Sequence, residues 1–187
     1  MVRAFDATPV DQAWLDDICF ESLRAPTAGN SAGVRMHTFG ASRVGDYLDV
    51  ATDVQWRSSS RRAPGIARAG GGVLVTSRPQ DYTARYGEAG KAQSGLADRS
   101  AWTIPYWHTD AAMATMALLL LIEEAGWHAT MWGNFRHEEA VLAWAGAHDE
   151  ELFATVLVGR ADGSDAPSAS LSRPVPTRRE RVRRIGA

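Results

Sequence analysis

The stretch Tyr106–Gly126 reads YWHTDAAMATMALLLLIEEAG and contains a long apolar run. From Ala111 to Ile122 it has no charged residue, and Thr115 is the only polar one. A membrane-spanning helix needs about 20 consecutive apolar residues, so this run is too short to cross a bilayer. A helix that is apolar on nearly every face is buried on nearly every face. The pattern therefore predicts a central, buried helix that ends near Gly126.

The small residues of this helix leave two packing arrangements open. Ala111, Ala114, Thr115 and Ala117 would allow a second helix to approach closely. The helix could contribute to a dimer interface, or it could be a core helix of a monomer. The segment alone favours neither arrangement.

The composition predicts a single cytoplasmic domain. A chain of 187 residues with 45% hydrophobic residues is long and apolar enough to form one sizeable core. Cys19 is the only cysteine, which excludes an internal disulfide framework and a cysteine-based metal cluster. It falls on the apolar side of a predicted helix, so we expect a buried thiol. No charged segment followed by an apolar segment opens the chain, so a secretory signal is not indicated.

The net charge of -2 is distributed unevenly. Residues 173–187 hold six arginines and one glutamate and so carry +5, which leaves −7 on the rest of the chain. A basic tail can bind nucleic acid, anionic lipid or phosphate, and it can equally lie solvated. Recognition of a nucleic-acid duplex would need a reading helix, so we do not expect nucleic acid as a partner.

Hydrophobic periodicity predicts a mixed α+β order without regular strand–helix–strand alternation. Thr8 is expected to cap the first helix, with Pro9 in its first turn. A polar loop is expected over residues 87–105 and an extended linker over 162–176. Helices are predicted from Thr8 to Ala25-Pro26 and over 43–53, 55–68, 79–85 and 137–145, and strands over 34–39, 73–76, 127–132 and 152–158.

The sequence lacks several motifs that would identify other chemistry. Gly70-Gly71-Gly72 precedes a predicted strand, whereas a dinucleotide-binding fingerprint follows one. There is no phosphate-binding P-loop and no GxSxG nucleophile motif. The five histidines show no HExxH pattern, so we expect no metal site.

Two segments together resemble the FMN-dependent nitroreductase family. The first is RAPTAGNS at residues 24–31, and the second runs from Asp110 through the central helix to GWHATMWGNF at residues 126–135. The resemblance extends from VRAF at residues 2–5 to the arginine-rich tail. It implies an α+β fold in which helices flank an antiparallel or mixed central sheet. It also implies a domain-swapped homodimer of single domains spanning 1–187, with an extended arm from about residue 160.

The resemblance implies two FMN sites at the dimer interface. In the family, an AP[ST]xxN loop from the neighbouring subunit lies along the isoalloxazine ring, and this carries over to Pro26, Thr27, Ala28 and Asn30. A helix-terminating turn would also explain this composition.

Backbone amides at the end of the strand after the central helix lie beside the flavin in the family. The matching residues are Trp132 and Gly133. Fixed donors there would orient the ring, and a glycine permits close approach of the backbone. Trp132 is a bulky residue for this position, and it either restricts the pocket or packs in the core.

Arg3 matches the family's basic residue near the flavin N1 and C2 carbonyl or the ribityl chain. The family motif normally begins several residues earlier, with an Arg and a Ser that hold the phosphate. Because the sequence starts at Met1, we expect other residues to anchor the phosphate, or FMN affinity to be weakened or lost. Arg173 is the best positional match in the tail, with Arg178 and Arg179 as alternatives.

Four aromatic or imidazole side chains precede the central helix: Trp102, Tyr106, Trp107 and His108. They could form the rim of a substrate pocket, where rings stack on a flat substrate, or they could pack against an interface. We expect Asp110 in the first turn of the helix, where the helix dipole favours a carboxylate without any catalytic role.

The function implied by the resemblance is that of an FMN-dependent oxidoreductase. Hydride would pass from NAD(P)H through flavin N5 to a small acceptor such as a nitroaromatic, a quinone or an enone, and no side chain is assigned as acid or base. The alternative is a degenerate, non-catalytic dimer that binds flavin or another protein.

Overall fold

Four strands of the described residues form one antiparallel sheet, in which the first strand of the chain pairs with the second, the second with the fourth, and the fourth with the third. The computed structural model describes residues 1–134, 136–182, 184 and 185. The strands are β1 Val34–Gly40, β2 Gly71–Ser77, β3 His128–Trp132 and β4 Glu151–Gly159. The helices are α1 Gln12–Ser22, α2 Val44–Ala51, α3 Val54–Ser59, α4 Ala63–Ile66, α5 Pro79–Gly87, α6 Tyr106–Glu124 and α7 Glu138–Ala145.

The two middle strands are buried because helices cover both faces of the sheet. Every residue of β2 is buried, as are the last six of β4. Side chains of a strand alternate between faces, so Val73 and Val75 pack on one side and Leu74 on the other. The predicted α+β order is confirmed, and the sheet is antiparallel.

Helices α1 and α6 cover one face, and α2 and α7 cover the other. Leu118 and Ile122 of α6 belong to the first hydrophobic cluster, together with Cys19 of α1. Tyr47 of α2 and Val141 of α7 belong to the second. The expectation of a buried Cys19 is confirmed.

The start of the chain lies along the β3 edge of the sheet. The backbone N of Val2 donates to the carbonyl of Ala129 at 3.0 Å, and Phe5 forms an antiparallel bridge with Ala161. The N-terminal segment therefore sits between β3 and the residues that follow β4.

Helix α1 begins later than the sequence predicted. The side chain of Asp11 caps it by accepting a hydrogen bond from the backbone N of Trp14 at 2.8 Å, so Thr8 is not the cap. At the end of α6, Gly126 adopts a φ of 75°, as expected for a glycine that terminates a helix.

The central helix is not buried on nearly every face of the single chain. Met113, Met116 and Leu120 are 40%, 54% and 58% exposed, respectively. Their spacing of three and four residues places them on one side of α6, and we call these three residues the outer strip. None of the helices in the described part of the chain is both long and apolar enough to span a membrane.

Candidate functional site

The loop after α1 has an unusual backbone. Gly29, Asn30 and Ala32 have φ values of 64°, 55° and 50°. A left-handed conformation costs roughly 1–2 kcal/mol for a residue that carries a Cβ. Asn30 and Ala32 therefore need surrounding contacts to hold the loop in this shape.

Asp110 supplies one of these contacts from α6. Its side chain is buried, and Oδ2 accepts hydrogen bonds from the backbone N of Ala28 at 2.7 Å and from the hydroxyl of Tyr82 at 2.9 Å. Oδ1 is also buried and has no hydrogen-bond partner among the described residues. Because α6 begins at Tyr106, Asp110 lies in the second turn, so the expected first-turn position was wrong.

Helix α5 also holds this loop in place. The Nε of Arg85 donates to the carbonyl of Gly29 at 2.8 Å. A Cβ added at Gly33 would lie 2.3 Å from the ring of Tyr82, which shows how closely the backbone passes this ring. Burial, with Asp110 alongside, raises the pKa of Tyr82 above its usual value.

The outward side of the loop borders a cavity. Pro26, Thr27 and Asn30 line a space of about 580 Å³, together with Arg24 and Arg35. Ala28 instead faces Asp110 through its backbone. Three of the four predicted loop residues thus face open space, which is what contact with a ligand requires.

The end of β3 borders a second cavity. Trp132, Gly133 and Asn134 line a space of about 340 Å³ with Trp56 of α3. The rings of Trp56 and Trp132 meet edge to face, with centroids 5.6 Å apart. Trp132 therefore forms part of the pocket wall. Phe135, which also belongs to the matched motif, lies outside the described residues.

A hydrogen-bond network beneath this cavity fixes Trp132 in place. The indole N of Trp132 donates to the hydroxyl of Tyr47. Asn134 donates to the same hydroxyl at 3.1 Å and accepts from Thr155 at 2.8 Å. Burial raises the pKa of Tyr47, which keeps it protonated. Trp132 thus packs against the second core cluster while lining this cavity. Its effect on a flavin pocket stays a prediction.

Arg3 borders a third cavity, of about 260 Å³. Arg61, Arg62 and Arg68 line it as well. The first two were not identified from the sequence. Two adjacent arginines after three serines indicate a local positive charge. The sequence does not show that Arg61 and Arg62 lie beside the N-terminal segment.

The four residues expected before the central helix pack against one another, although Tyr106, Trp107 and His108 form the first turn of α6 and only Trp102 precedes it. Trp102 lies 5.8 Å from Tyr106 and 5.9 Å from Trp107, measured between ring centroids. Trp107 is buried, and its indole N donates to Glu151 at 3.0 Å. His108 Nε2 also lies 3.1 Å from Glu151. Their packing with each other is shown, whereas their place on a substrate pocket stays a prediction.

The structure brings only part of the expected site together within one chain. Arg3 and Gly133 lie along the same sheet edge but border different cavities, because Val2 pairs with Ala129 and the sulfur of Met1 accepts from the backbone N of Met131 at 3.4 Å. The loop at residues 26–30 borders a separate cavity. Arg173 follows the short 3-10 turn Ala169–Ser172 and is exposed, and it lines none of these three cavities.

A sequence model of the family described as "Nitroreductase family" matches residues 1–160. The chain belongs to the nitroreductase family. The resemblance recognised in the sequence is thereby confirmed. No curated protein matches the sequence of this nitroreductase-family chain.

Solved structures show the same fold at low sequence identity. Nitroreductase CinD from Lactococcus lactis in complex with nicotinic acid has a TM-score of 0.68 and 15% identity, covering 95% of this chain and 94% of its own. A candidate NAD(P)H:FMN oxidoreductase from Staphylococcus epidermidis has a TM-score of 0.66 and 16% identity, covering 98% and 90%. CLA-ER, an enone reductase of gut-bacterial fatty acid saturation, has a TM-score of 0.67 and 14% identity, covering 89% and 87%.

The residues of this nitroreductase-family chain suit FMN at the β3 edge. Gly133 is exposed at the strand end beside an aromatic wall, and Arg3 lies farther along the same edge. An aromatic wall and a close backbone match a flat ring, and a guanidinium matches the polar end of the cofactor. Among the described residues, no three His, Cys, Asp or Glu side chains group together as metal ligands.

Proposed function

We propose that this nitroreductase-family chain is a cytoplasmic, homodimeric FMN-dependent oxidoreductase. It passes hydride from NAD(P)H via flavin N5 to a small acceptor, such as a nitroaromatic, a quinone or an enone. The observation that carries this proposal is the shared sheet edge, where Arg3 and Gly133 lie on either side of the pairing between Val2 and Ala129. FMN, when bound, supplies the hydride-accepting ring, and the protein supplies position and electrostatics.

The chain's own residues bind and orient the ring in this proposal. The backbone N–H groups of Trp132 and Gly133 donate to its edge, and the network through Tyr47 keeps this backbone in place. Arg3 provides a positive charge toward the N1 and C2 carbonyl side or the ribityl chain. Arg173 reaches the phosphate from the C-terminal arm.

The loop at residues 26–30 completes the site of the partner subunit in this proposal. Pro26, Thr27, Ala28 and Asn30 belong to this loop, and its separation from the Gly133 cavity within one chain favours such an exchange. The outer strip on α6 supports a homodimer. Full burial of an exposed Met or Leu side chain contributes about 1.5–3 kcal/mol. The three residues of the outer strip are already about half buried in the single chain, so each contributes about half of that in a dimer.

The proposed substrate pocket lies near Trp102 and the first turn of α6, which contains Tyr106, Trp107 and His108. Tyr106 is exposed, while Trp102 is half-buried at the centre of the aromatic cluster. Aromatic faces of this kind suit flat acceptors and the nicotinamide ring. The nicotinic acid bound to CinD and the enone reduced by CLA-ER are of that class.

The absorption spectrum of the purified protein tests the proposal. A yellow dimer that releases FMN, bleaches with NADH or NADPH without oxygen and regains its colour with an acceptor is the expected result. A colourless dimer that does not take up added FMN would overturn the proposal and favour the non-catalytic alternative.

A further inference from the structure

The cavity beside Arg3 is lined by an excess of positive charge. Four arginines line this cavity, whose volume is about 260 Å³. Arg68 is paired with Asp162. Within the described part of the chain, the guanidinium groups of Arg3, Arg61 and Arg62 have no ion-pair or hydrogen-bond partner. Three unpaired cations around one space repel each other and favour an anionic ligand.

The backbone holds these arginines in a fixed arrangement. The N of Phe5 donates to the carbonyl of Gly65 in α4 at 3.2 Å. A Cβ added at Gly65 would lie 2.8 Å from the carbonyl O of Arg3, so the N-terminal segment and α4 are in close contact. The N of Ile66 also donates to the carbonyl of Arg62 at 3.0 Å. Main-chain contacts therefore hold the backbone of Arg3 and Arg62 at the cavity.

Asp165, the acidic residue that lines the cavity, offsets only part of its positive charge. Asp165 accepts a hydrogen bond from the backbone N of Arg3 at 2.9 Å. Counting Asp162 and Asp165 against the four arginines leaves two positive charges. A phosphate monoester carries roughly −1.5 to −2 at pH 7, which matches this excess.

The size of the cavity points to part of a ligand. Pockets for whole small molecules are usually about 300–1,000 Å³, and this one is smaller. Guanidinium groups bind phosphate oxygens in bidentate pairs. The space thus suits the anionic end of a ligand whose remainder extends outside.

We propose that Arg3, Arg61 and Arg62 form the binding pocket for a phosphate monoester of a nucleotide cofactor. The inference rests on the proposed function, in which the enzyme binds FMN and NAD(P)H. Two sources share this chemistry, namely the phosphate of FMN and the 2′-phosphate of NADPH. The pocket gives Arg61 and Arg62 a role that does not depend on the C-terminal arm.

Calorimetric titration with matched probes tests the pocket. FMN and riboflavin differ only in a phosphate, and so do 2′,5′-ADP and 5′-AMP. The Arg61→Ala/Arg62→Ala variant is compared with the wild-type chain and with Arg43→Ala/Arg78→Ala. The control variant removes the same number of positive charges outside this cavity, where Arg43 is paired with Asp46 and Arg78 with Asp149.

The expected result is a loss confined to one phosphate-bearing probe. The Arg61→Ala/Arg62→Ala variant should bind either FMN or 2′,5′-ADP at least about tenfold more weakly, since charge-assisted hydrogen bonds are lost. Riboflavin and 5′-AMP should bind as before, and the control should match the wild type. The probe that is affected identifies the source of the phosphate.

Three results would overturn the pocket. The first is an equal loss of affinity for both members of a probe pair. The second is unchanged affinity for all four probes, and the third is the same loss of affinity in the control variant. If the double variant does not fold, the Arg61→Glu variant replaces it. The side chain of Arg61 is exposed, so this substitution reverses the charge without disturbing the packing.

Failure of the proposed function gives a different result. In that case the wild-type chain binds none of the four probes, and inorganic phosphate is titrated instead. Phosphate binding that Arg61→Ala/Arg62→Ala abolishes supports the pocket on its own. A wild-type chain that binds no phosphate either would overturn it.

Discussion

The carboxylate Oδ2 of Asp110 lies 2.7 Å from the backbone N of Ala28, and this contact joins the central helix to the loop after α1. The loop contains two non-glycine residues in the left-handed region, Asn30 and Ala32. Its shape therefore depends on a carboxylate far away in the sequence. In the proposed dimer, Asp110 controls how the loop meets the partner's flavin, without touching the flavin itself.

Asp110→Ala should destabilise the fold and weaken FMN binding. The substitution leaves the half-buried N–H of Ala28 and the buried hydroxyl of Tyr82 without their acceptor, and a buried unsatisfied group costs about 1–3 kcal/mol. Asp110→Asn retains an oxygen acceptor and should cost less. Chemical denaturation and fluorescence titration with FMN measure the two effects. Equal stability and FMN affinity in the wild type and Asp110→Ala would contradict the positioning role.

Gly33→Ala should destabilise the fold because the added Cβ would lie 2.3 Å from the ring of Tyr82. Overpacking of this kind typically costs 1–3 kcal/mol, or about 2–4 °C in melting temperature per kcal/mol for a domain of this length. Gly45→Ala in α2 is the matched control, since its added Cβ meets nothing within 4 Å. If a thermal melt showed the same decrease in melting temperature for both variants, the contact with Tyr82 would not be the cause of the destabilisation.

Leu120→Glu should separate the proposed homodimer. Leu120 is 58% exposed in the single chain, so a charge there is tolerated by the monomer but not by an apolar interface. Light scattering after size-exclusion chromatography measures the mass. Val54→Glu changes an apolar residue of α3 that is 72% exposed, and it should leave the dimer intact. A Leu120→Glu variant that stays dimeric would place the interface elsewhere.

Stability should fall as the pH rises above about 9, because burial raises the pKa of Cys19 to about 12 from its usual 9.0. Between these values the unfolded chain releases the thiol proton while the folded chain retains it. The unfolded state then binds fewer protons, so the free energy of unfolding decreases by up to about 1.4 kcal/mol per pH unit. Denaturation at pH 9 and pH 10 measures this slope. A Cys19→Ala variant with the same slope would contradict the assignment to the thiol.

The sequence predicted the elements whose signals are local. The strand at residues 73–76 was recognised from a short apolar run, and burial of the whole of β2 explains why that run is continuous. The cap of α1 was misplaced because Thr8 and Asp11 both suit a helix start. Only the hydrogen bond that the backbone N of Trp14 donates to the side chain of Asp11 shows which of the two residues is the cap.

Contacts between distant residues could not be predicted in the same way. The role of Asp110 depends on Ala28 and Tyr82, which lie 82 and 28 residues away. Arg61 and Arg62 face Arg3 only because α4 packs on the N-terminal segment. The exposed outer strip also escaped prediction, since an apolar helix gives no sign of which side a single chain leaves uncovered.

The pairing of Val2 with Ala129 and of Phe5 with Ala161 has a consequence for synthesis on the ribosome. Val2 and Phe5 must wait for Ala129 and Ala161, which are translated more than a hundred residues later, a delay on the order of ten seconds at about 5–20 residues per second. Until then the nascent chain cannot assemble the sheet edge that we assign to the cofactor. FMN added during translation should therefore be captured only after Ala161 has left the exit tunnel.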